Sequence, residues 1–233
     1  MKANVSQWIG ARPIQEDAYR IQFLPEGGLV IVCDGMGGHS LGAEYAAAAA
    51  ASFVDFFTSS SLPVSERLYA ALEAANRTVG KLSRKHSRYG GTTLTAAFIG
   101  SGVVRWISVG DSPLLLWRRG RLIRLNADHS LRPVLENILP GKEGAAHMLR
   151  SALTGEEMSL VDAPQTPMPL LPGDRLILCS DGADELLKPG ELSSEVSALL
   201  SACGDNDAAA LIGMLCKRNH PAADNATVVV MDI

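Results

Sequence analysis

Five stretches of this 233-residue chain set an acidic side chain at the end of a strand-like apolar run. Leu29–Cys33 runs into Asp34-Gly35, and Leu176–Cys179 runs into Ser180-Asp181-Gly182. Trp106–Val109 leads through Gly110 to Asp111, Asp224-Asn225 stands just before Thr227–Met231, and Glu16-Asp17 opens Ala18–Phe23. A lone Asp-Gly is ordinarily a turn, because both residues favour turn geometry. Strand ends in one sheet can share a rim, and carboxylates gathered there repel one another unless a cation neutralises them. Mn²⁺ and Mg²⁺ are hard ions that take oxygen ligands. A glycine after the aspartate lets the backbone come close to such an ion. The residues alone therefore point to an oxygen-ligand metal site.

The elements that must carry these residues can be read from periodicity. Strands are expected at Asn4–Ile9, Ala18–Phe23, Leu29–Cys33, Thr93–Ile99, Val103–Val109, Leu114–Arg118, Leu122–Leu125, Arg175–Cys179 and Thr227–Ile233. Gly100-Ser101-Gly102 and Arg119-Gly120 read as hairpin turns, which makes the run from Thr93 to Leu125 one antiparallel meander. Helices are expected at Gly42–Phe57, Ser65–His86, Glu191–Cys203 and Asn206–Asn219. Leu131–Pro169 is punctuated by Pro and Gly and reads as a short helix with a surface flap. Sheets that each bury one face, with helices over the others, give an α+β fold. The order of elements fits an αββα sandwich of two mostly antiparallel sheets flanked by helix pairs, formed by residues 1–233 as a single domain.

Composition narrows the function. The net charge is −4 with no long basic run, which argues against nucleic acid as a partner. Cys33, Cys179, Cys203 and Cys216 form no C-x-x-C pair, so the reading is buried free thiols and no zinc site. No apolar signal-peptide core or membrane-length window is visible, and the expected setting is cytoplasmic, with no membrane partner. A monomer is the default.

In order along the chain, Arg12–Asp17, Asp34–His39, Gly91-Thr92-Thr93, Gly110-Asp111-Ser112, Asp128-His129-Ser130, Leu171–Asp174, Ser180-Asp181-Gly182 and Asp224–Thr227 resemble the motif blocks of the type 2C (PPM) metal-dependent protein phosphatases, especially the short free-standing bacterial ones. Each block is weak alone; the ordered set is specific. The resemblance implies hydrolysis of phosphoserine and phosphothreonine in proteins by a hydroxide bridging two Mn²⁺ or Mg²⁺ ions. It implies that Asp34 bridges both ions, that Gly35 lends a carbonyl, and that Asp181 and Asp224 are ligands. Glu16 would hold a metal-bound water, Asp17 would support the ligands, and Arg12 would bind the substrate phosphate. Asp111 matches a residue that helps bind a third, weaker ion. The substrate would be a phosphoprotein made by a cognate serine/threonine kinase.

Two positions depart from the pattern. Met36 stands where members from higher organisms often carry a histidine, and methionine donates no proton, so the leaving group would be protonated by metal-bound water or by a nearby group, for which His39 is a candidate. Glu185 stands where the family usually has aspartate, and Asp184 beside it leaves open which carboxylate reaches a third ion. Rival readings are a catalytically weak phosphoprotein-binding relative and a serine hydrolase. Gly38-His39-Ser40-Leu41-Gly42 matches G-x-S-x-G, with Ser40 as nucleophile. That motif needs a strand running directly into its first glycine, and Asp34–Gly37 intervenes.

Overall fold

A computed structural model describes residues 1–37, 41–134, 148–190, 192–218, 221 and 223–233. In chain order the strands are β1 (Lys2–Trp8), β2 (Asp17–Leu24), β3 (Gly27–Met36), β4 (Gly91–Thr92), β5 (Leu94–Gly100), β6 (Val103–Val109), β7 (Leu114–Arg118), β8 (Arg121–Arg124), β9 (Met168–Pro169), β10 (Arg175–Cys179) and β11 (Ala226–Asp232). The helices are α1 (Leu41–Ser59), α2 (Val64–His86), α3 (Ser194–Ala202) and α4 (Asp207–Arg218).

The apolar run in β3 explains the layering. Leu29, Ile31 and Cys33 pack toward α1 and α2, while Val30 and Val32 pack between the sheets. Successive strand residues point to opposite faces, so a strand covered on both sides must be apolar throughout. One sheet has the order β2-β3-β5-β6-β9, with β4 attached to β3, and the other has the order β1-β11-β10-β7-β8. All paired strands are antiparallel. Three cores result. One lies between the first sheet and α1/α2, one between the sheets, and one between the second sheet and α3/α4. This is the αββα sandwich expected from the sequence.

The expected single meander is corrected. β5 and β6 pair in the first sheet, whereas β7 and β8 pair in the second. Gly110 (φ +105°) begins the break, and an added Cβ there would stand 2.6 Å from the Thr93 side chain. Pro113 follows, so the ladder stops and the chain changes sheet. Asp111 lies in this crossover. Thr93 also falls between β4 and β5 rather than inside one strand. The thiol reading is corrected too: all four cysteines are free, but only Cys33 and Cys179 are buried. Cys203 ends α3 in a left-handed conformation, and Cys216 lies on the outer face of α4.

α3 begins three residues later than expected, where the Ser193 hydroxyl accepts the Val196 N–H. Of the expected flap, 135–147 lie outside the described residues. The parts on either side are tied down by single bridges, Ser130 to Leu149, Thr92 to Leu153 and Ser108 to Asp162. No helix among the described residues is long and apolar enough to cross a membrane.

Candidate active site

The ends of β3, β6, β10 and β11 open on one cleft of about 370 Å³. Arg12, Glu16, Asp34, Gly35, Asp111, Asp181 and Asp224 line it, together with Met36, Thr93, Met148 and Leu149. The sequence-derived carboxylates, scattered over more than 200 residues, are thus brought to a single rim.

Asp34 is held by backbone and hydroxyl contacts from the next strand pair. Its N–H donates to Thr93 Oγ1 at 2.9 Å, and its carbonyl accepts from Thr93 N–H at 2.8 Å and from the Thr92 hydroxyl at 2.9 Å. Gly35 follows in a place that admits no side chain. A Cβ there would overlap the Gly42 carbonyl at the start of α1 and stand 2.7 Å from the Glu16 carbonyl. Gly42 is bare for the same reason: a Cβ on it would lie 2.5 Å from Glu16 Oε1. The two glycines let β3, α1 and the Glu16 segment meet around one point.

Glu16 is fixed through its backbone N–H, which donates to Asn225 Oδ1 at 2.8 Å. Asn225 in turn donates to the Ile9 carbonyl at 2.8 Å. Asp17 lies opposite Asp34 in the β2–β3 register. Its Oδ2 accepts from the Ser180 and Thr227 hydroxyls, each at 2.7 Å, which ties the first sheet to β10 and β11. Asp224 Oδ2 meets Arg12 Nη2 at 2.7 Å, so the candidate phosphate-binding arginine here pairs with a candidate ligand. Asp181 opens a 3₁₀ turn, Asp181–Ala183.

The electrostatics are those of crowded carboxylates. Burial, together with the charges of Asp17, Asp181, Asp111 and Asp224, holds the Asp34 carboxyl well above its ordinary value. Burial pushes Asp111 up to about 7, with help from Asp181, Asp128 and Asp184. Burial likewise raises Asp17 to about 6, against its two hydroxyl hydrogen bonds. Glu16 Oε1 and Asp17 Oδ1 are buried with no hydrogen-bond partner. An orphaned carboxylate oxygen in such a place is costly, and a cation on the rim relieves both that cost and the mutual repulsion. Among the described residues no three carboxylate, imidazole or thiol groups already close on one point as a finished coordination shell. Two of the groups turned elsewhere are accounted for, since Asp224 is drawn to Arg12 and Asp17 to Ser180 and Thr227. The donor set, all oxygen with the Gly35 backbone carbonyl beside it, fits Mn²⁺ or Mg²⁺.

Other sequence-derived candidates fall elsewhere. Asp184 is paired with Arg132 at 2.5 Å, and Glu185 is paired with Arg218 at 3.2 Å on the surface. His39 and Ser40 lie outside the described residues. Sequence reasoning gave no role to Thr93, Asn225, Ser180 or Thr227. Their positions inside the Gly91–Thr93, Ser180–Gly182 and Asp224–Thr227 blocks were the only available signal, because a hydroxyl or amide bonded to backbone has no spacing rule of its own.

Two antiparallel sheets between helix layers, with an acidic cleft at one rim, define a PPM-type phosphatase fold. A family profile described as Stage II sporulation protein E (SpoIIE) matches residues 25–233. The chain belongs to this family of PPM-type phosphatase domains. It is 32% identical over 216 residues to the serine/threonine protein phosphatase PstP of Mycobacterium tuberculosis, a match covering 88% of this chain and 40% of the relative. The chain thus spans well under half the length of that curated relative. The crystal structure of the M. tuberculosis phosphatase PstP/Ppp superposes with a TM-score of 0.82 at 25% identity, covering 100% of this chain and 98% of that one. The catalytic domain of PstP in complex with two manganese ions gives a TM-score of 0.80 at 26% identity, over 99% of this chain and 97% of that one.

Proposed function

We propose that the chain hydrolyses phosphoserine and phosphothreonine in proteins, using a pair of Mn²⁺ or Mg²⁺ ions in the acidic cleft. The observation that carries this reading is the convergence of Asp34, Asp111, Asp181, Asp224 and Glu16 beside Arg12. Asp34 would serve both ions, the Gly35 carbonyl would serve one of them, and Asp181 and Asp224 would serve the other. Glu16 would hold a water, with Asp17 fixing the strand ends behind it. Bound there, the ions would supply an activated water for in-line attack at phosphorus and neutralise charge on the phosphoryl oxygens.

The chain's own groups do the rest. Arg12 is half exposed at the cleft mouth, and its planar fork can take two phosphoryl oxygens. To do so it must exchange the Asp224 carboxylate for the substrate, which is easier once Asp224 is committed to an ion. Thr92 and Thr93 hold the Asp34 backbone still, so the carboxylate need not reorganise during the reaction. Met148, which is 60% exposed, and Leu149 present apolar surface at the cleft edge for the residues flanking a phosphorylated side chain.

The PstP complex with two manganese ions supports the two-ion reading. The names of the relatives support a phosphoprotein substrate, and its phosphate would be placed by a cognate serine/threonine kinase. The test is release of phosphate from p-nitrophenyl phosphate and a phosphothreonine peptide with Mn²⁺, then with excess EDTA. Release that EDTA abolishes and Asp34→Asn removes is expected. No release with any divalent ion, alongside retained phosphopeptide binding, would leave the chain a phosphoprotein-binding relative. The serine hydrolase reading would require Ser40→Ala to abolish activity while EDTA does nothing. The motif needs a strand that runs directly into its first glycine, Gly38, whereas β3 ends at Met36.

A further inference from the structure

Asp111 lines the cleft, Asp128 and Asp184 lie close enough for their charges to act on it, and a cation of the chain itself already stands among them. Arg132 Nη1 donates to Asp184 Oδ2 at 2.5 Å, with the two side chains 25% and 27% exposed. The Asp184 N–H donates to the Asp181 carbonyl at 2.8 Å, so this pair sits one tight turn from a candidate ligand. The Arg132 backbone is placed as well. Its N–H donates to Ser130 Oγ at 3.2 Å, and the Ser130 hydroxyl donates to Asp128 Oδ1 at 2.6 Å. Arg124 closes the other side, with Nη2 on the Asp111 carbonyl at 2.6 Å and Nη1 3.4 Å from Asp128 Oδ2. Partial burial works against the charge on Arg132, but Asp184, with Asp128 and Asp111 behind it, more than offsets that effect.

A guanidinium and a divalent ion compete for such a place. The Arg132–Asp184 pair, at 2.5 Å and about three-quarters buried, is held more firmly than the half-exposed Arg12–Asp224 pair at 2.7 Å, so Asp184 Oδ2 is the harder of the two carboxylates for an ion to take. A second cation beside the guanidinium also meets repulsion. Arginine is permanently charged and tethered, so it needs no capture from solution.

We propose that Arg132 takes the place that a third, weaker divalent ion would hold beside Asp111 and Asp184, so that the chain works with two ions and a built-in guanidinium. This rests on the two-ion reading of the cleft. It goes beyond that reading by assigning Arg132 a role and by denying Asp184 one as a metal ligand.

The test is Mn²⁺ stoichiometry by equilibrium dialysis and calorimetry on the full chain, with circular dichroism to confirm folding. The wild type is expected to bind two ions. Arg132→Gln is expected to bind three, the third more weakly, and its activity should gain a second, weaker phase in the Mn²⁺ titration. Arg132→Lys, which keeps a tethered charge, should bind two, and the Arg132→Gln/Asp184→Asn double variant should return to two. Asp184→Asn alone should still bind two, and it serves as the independent probe if Arg132→Gln does not fold. Three ions on the wild type, an unchanged two on folded Arg132→Gln, or the loss of one ion in Asp184→Asn overturns the proposal. No Mn²⁺ on either protein would bring down the two-ion reading itself, which is a different failure from equal stoichiometry in wild type and variant.

Discussion

Arg12 and Asp224 meet through Nη2 and Oδ2 at 2.7 Å across 212 positions of sequence. The pair joins the loop before β2 to the loop before β11 at the mouth of the acidic cleft. Both side chains are about half exposed, so its contribution to stability is small, below about 1 kcal/mol. Under the proposed phosphatase reading its importance is chemical. Arg12→Ala is expected to lower kcat/KM on a phosphothreonine peptide by about 10²-fold, the scale for losing one preorganised charge-stabilising donor. Steady-state kinetics with saturating Mn²⁺ check this, and a melting temperature within a few degrees of wild type separates the effect from misfolding.

The glycines behind Asp34 give a sharper prediction. Gly42→Ala puts a methyl 2.5 Å from Glu16 Oε1 and 2.8 Å from the Gly35 carbonyl. Helix propensity would favour alanine here, and local space forbids it. We expect destabilisation of about 1–3 kcal/mol, as for overpacking, and weaker Mn²⁺ binding, measured by urea unfolding and by calorimetry. A gain in stability would show that the close approach of α1 to Glu16 is not tight.

Ser180→Ala removes one of the two hydroxyls on Asp17 Oδ2 and also the acceptor of the Thr227 N–H. All three residues are buried. The expected loss is about 1–3 kcal/mol, which corresponds to a fall in Tm of about 2–4 °C per kcal/mol for a chain of this size. Scanning calorimetry measures it.

Arg175 is buried between Asp207, at 2.5 Å, and Asp232, at 2.6 Å, and it also donates to the Leu200 carbonyl. It ties β10 and β11 to α3 and α4. Arg175→Ala strands the two carboxylates and should cost about 3–5 kcal/mol. Arg175→Met, with Asp207→Asn and Asp232→Asn, should recover much of that loss in urea melts.

Asp174 supplies the pH dependence. Hydrogen bonds from Arg118, at 2.9 and 2.5 Å, hold its carboxyl below the ordinary value, and the Leu171 N–H adds to this. A depressed carboxyl stabilises the folded state fully above the unfolded value of about 3.9. That contribution is lost as pH falls through the lower folded value. Asp174→Asn should therefore flatten the acid side of the stability curve. Urea midpoints between neutral pH and the acid limit decide it, and parallel curves for wild type and variant would sink the assignment.

The sequence by itself determined the layers and the donor types. β3 and β10 had to be buried on both faces because their runs are apolar at every position, and no other arrangement keeps Leu29–Cys33 and Leu176–Cys179 from water. Asp34, Asp111, Asp181 and Asp224 could be picked out because an acid at the end of such a run needs a reason to be there.

Tertiary structure alone decided the rest. Whether β6 continues into β7 or changes sheet depends on what a side chain at position 110 would strike, namely Thr93, seventeen residues away. Which carboxylates face the cleft and which are taken by arginine is likewise a matter of three-dimensional neighbours. Asp184 and Asp181 stand three residues apart with the same chemistry, yet Asp181 lines the cleft and Asp184 is bound to Arg132. Local sequence carries propensity and periodicity, which act over a turn or a strand. Charge pairing and steric exclusion act between groups that meet only once the sheets have stacked.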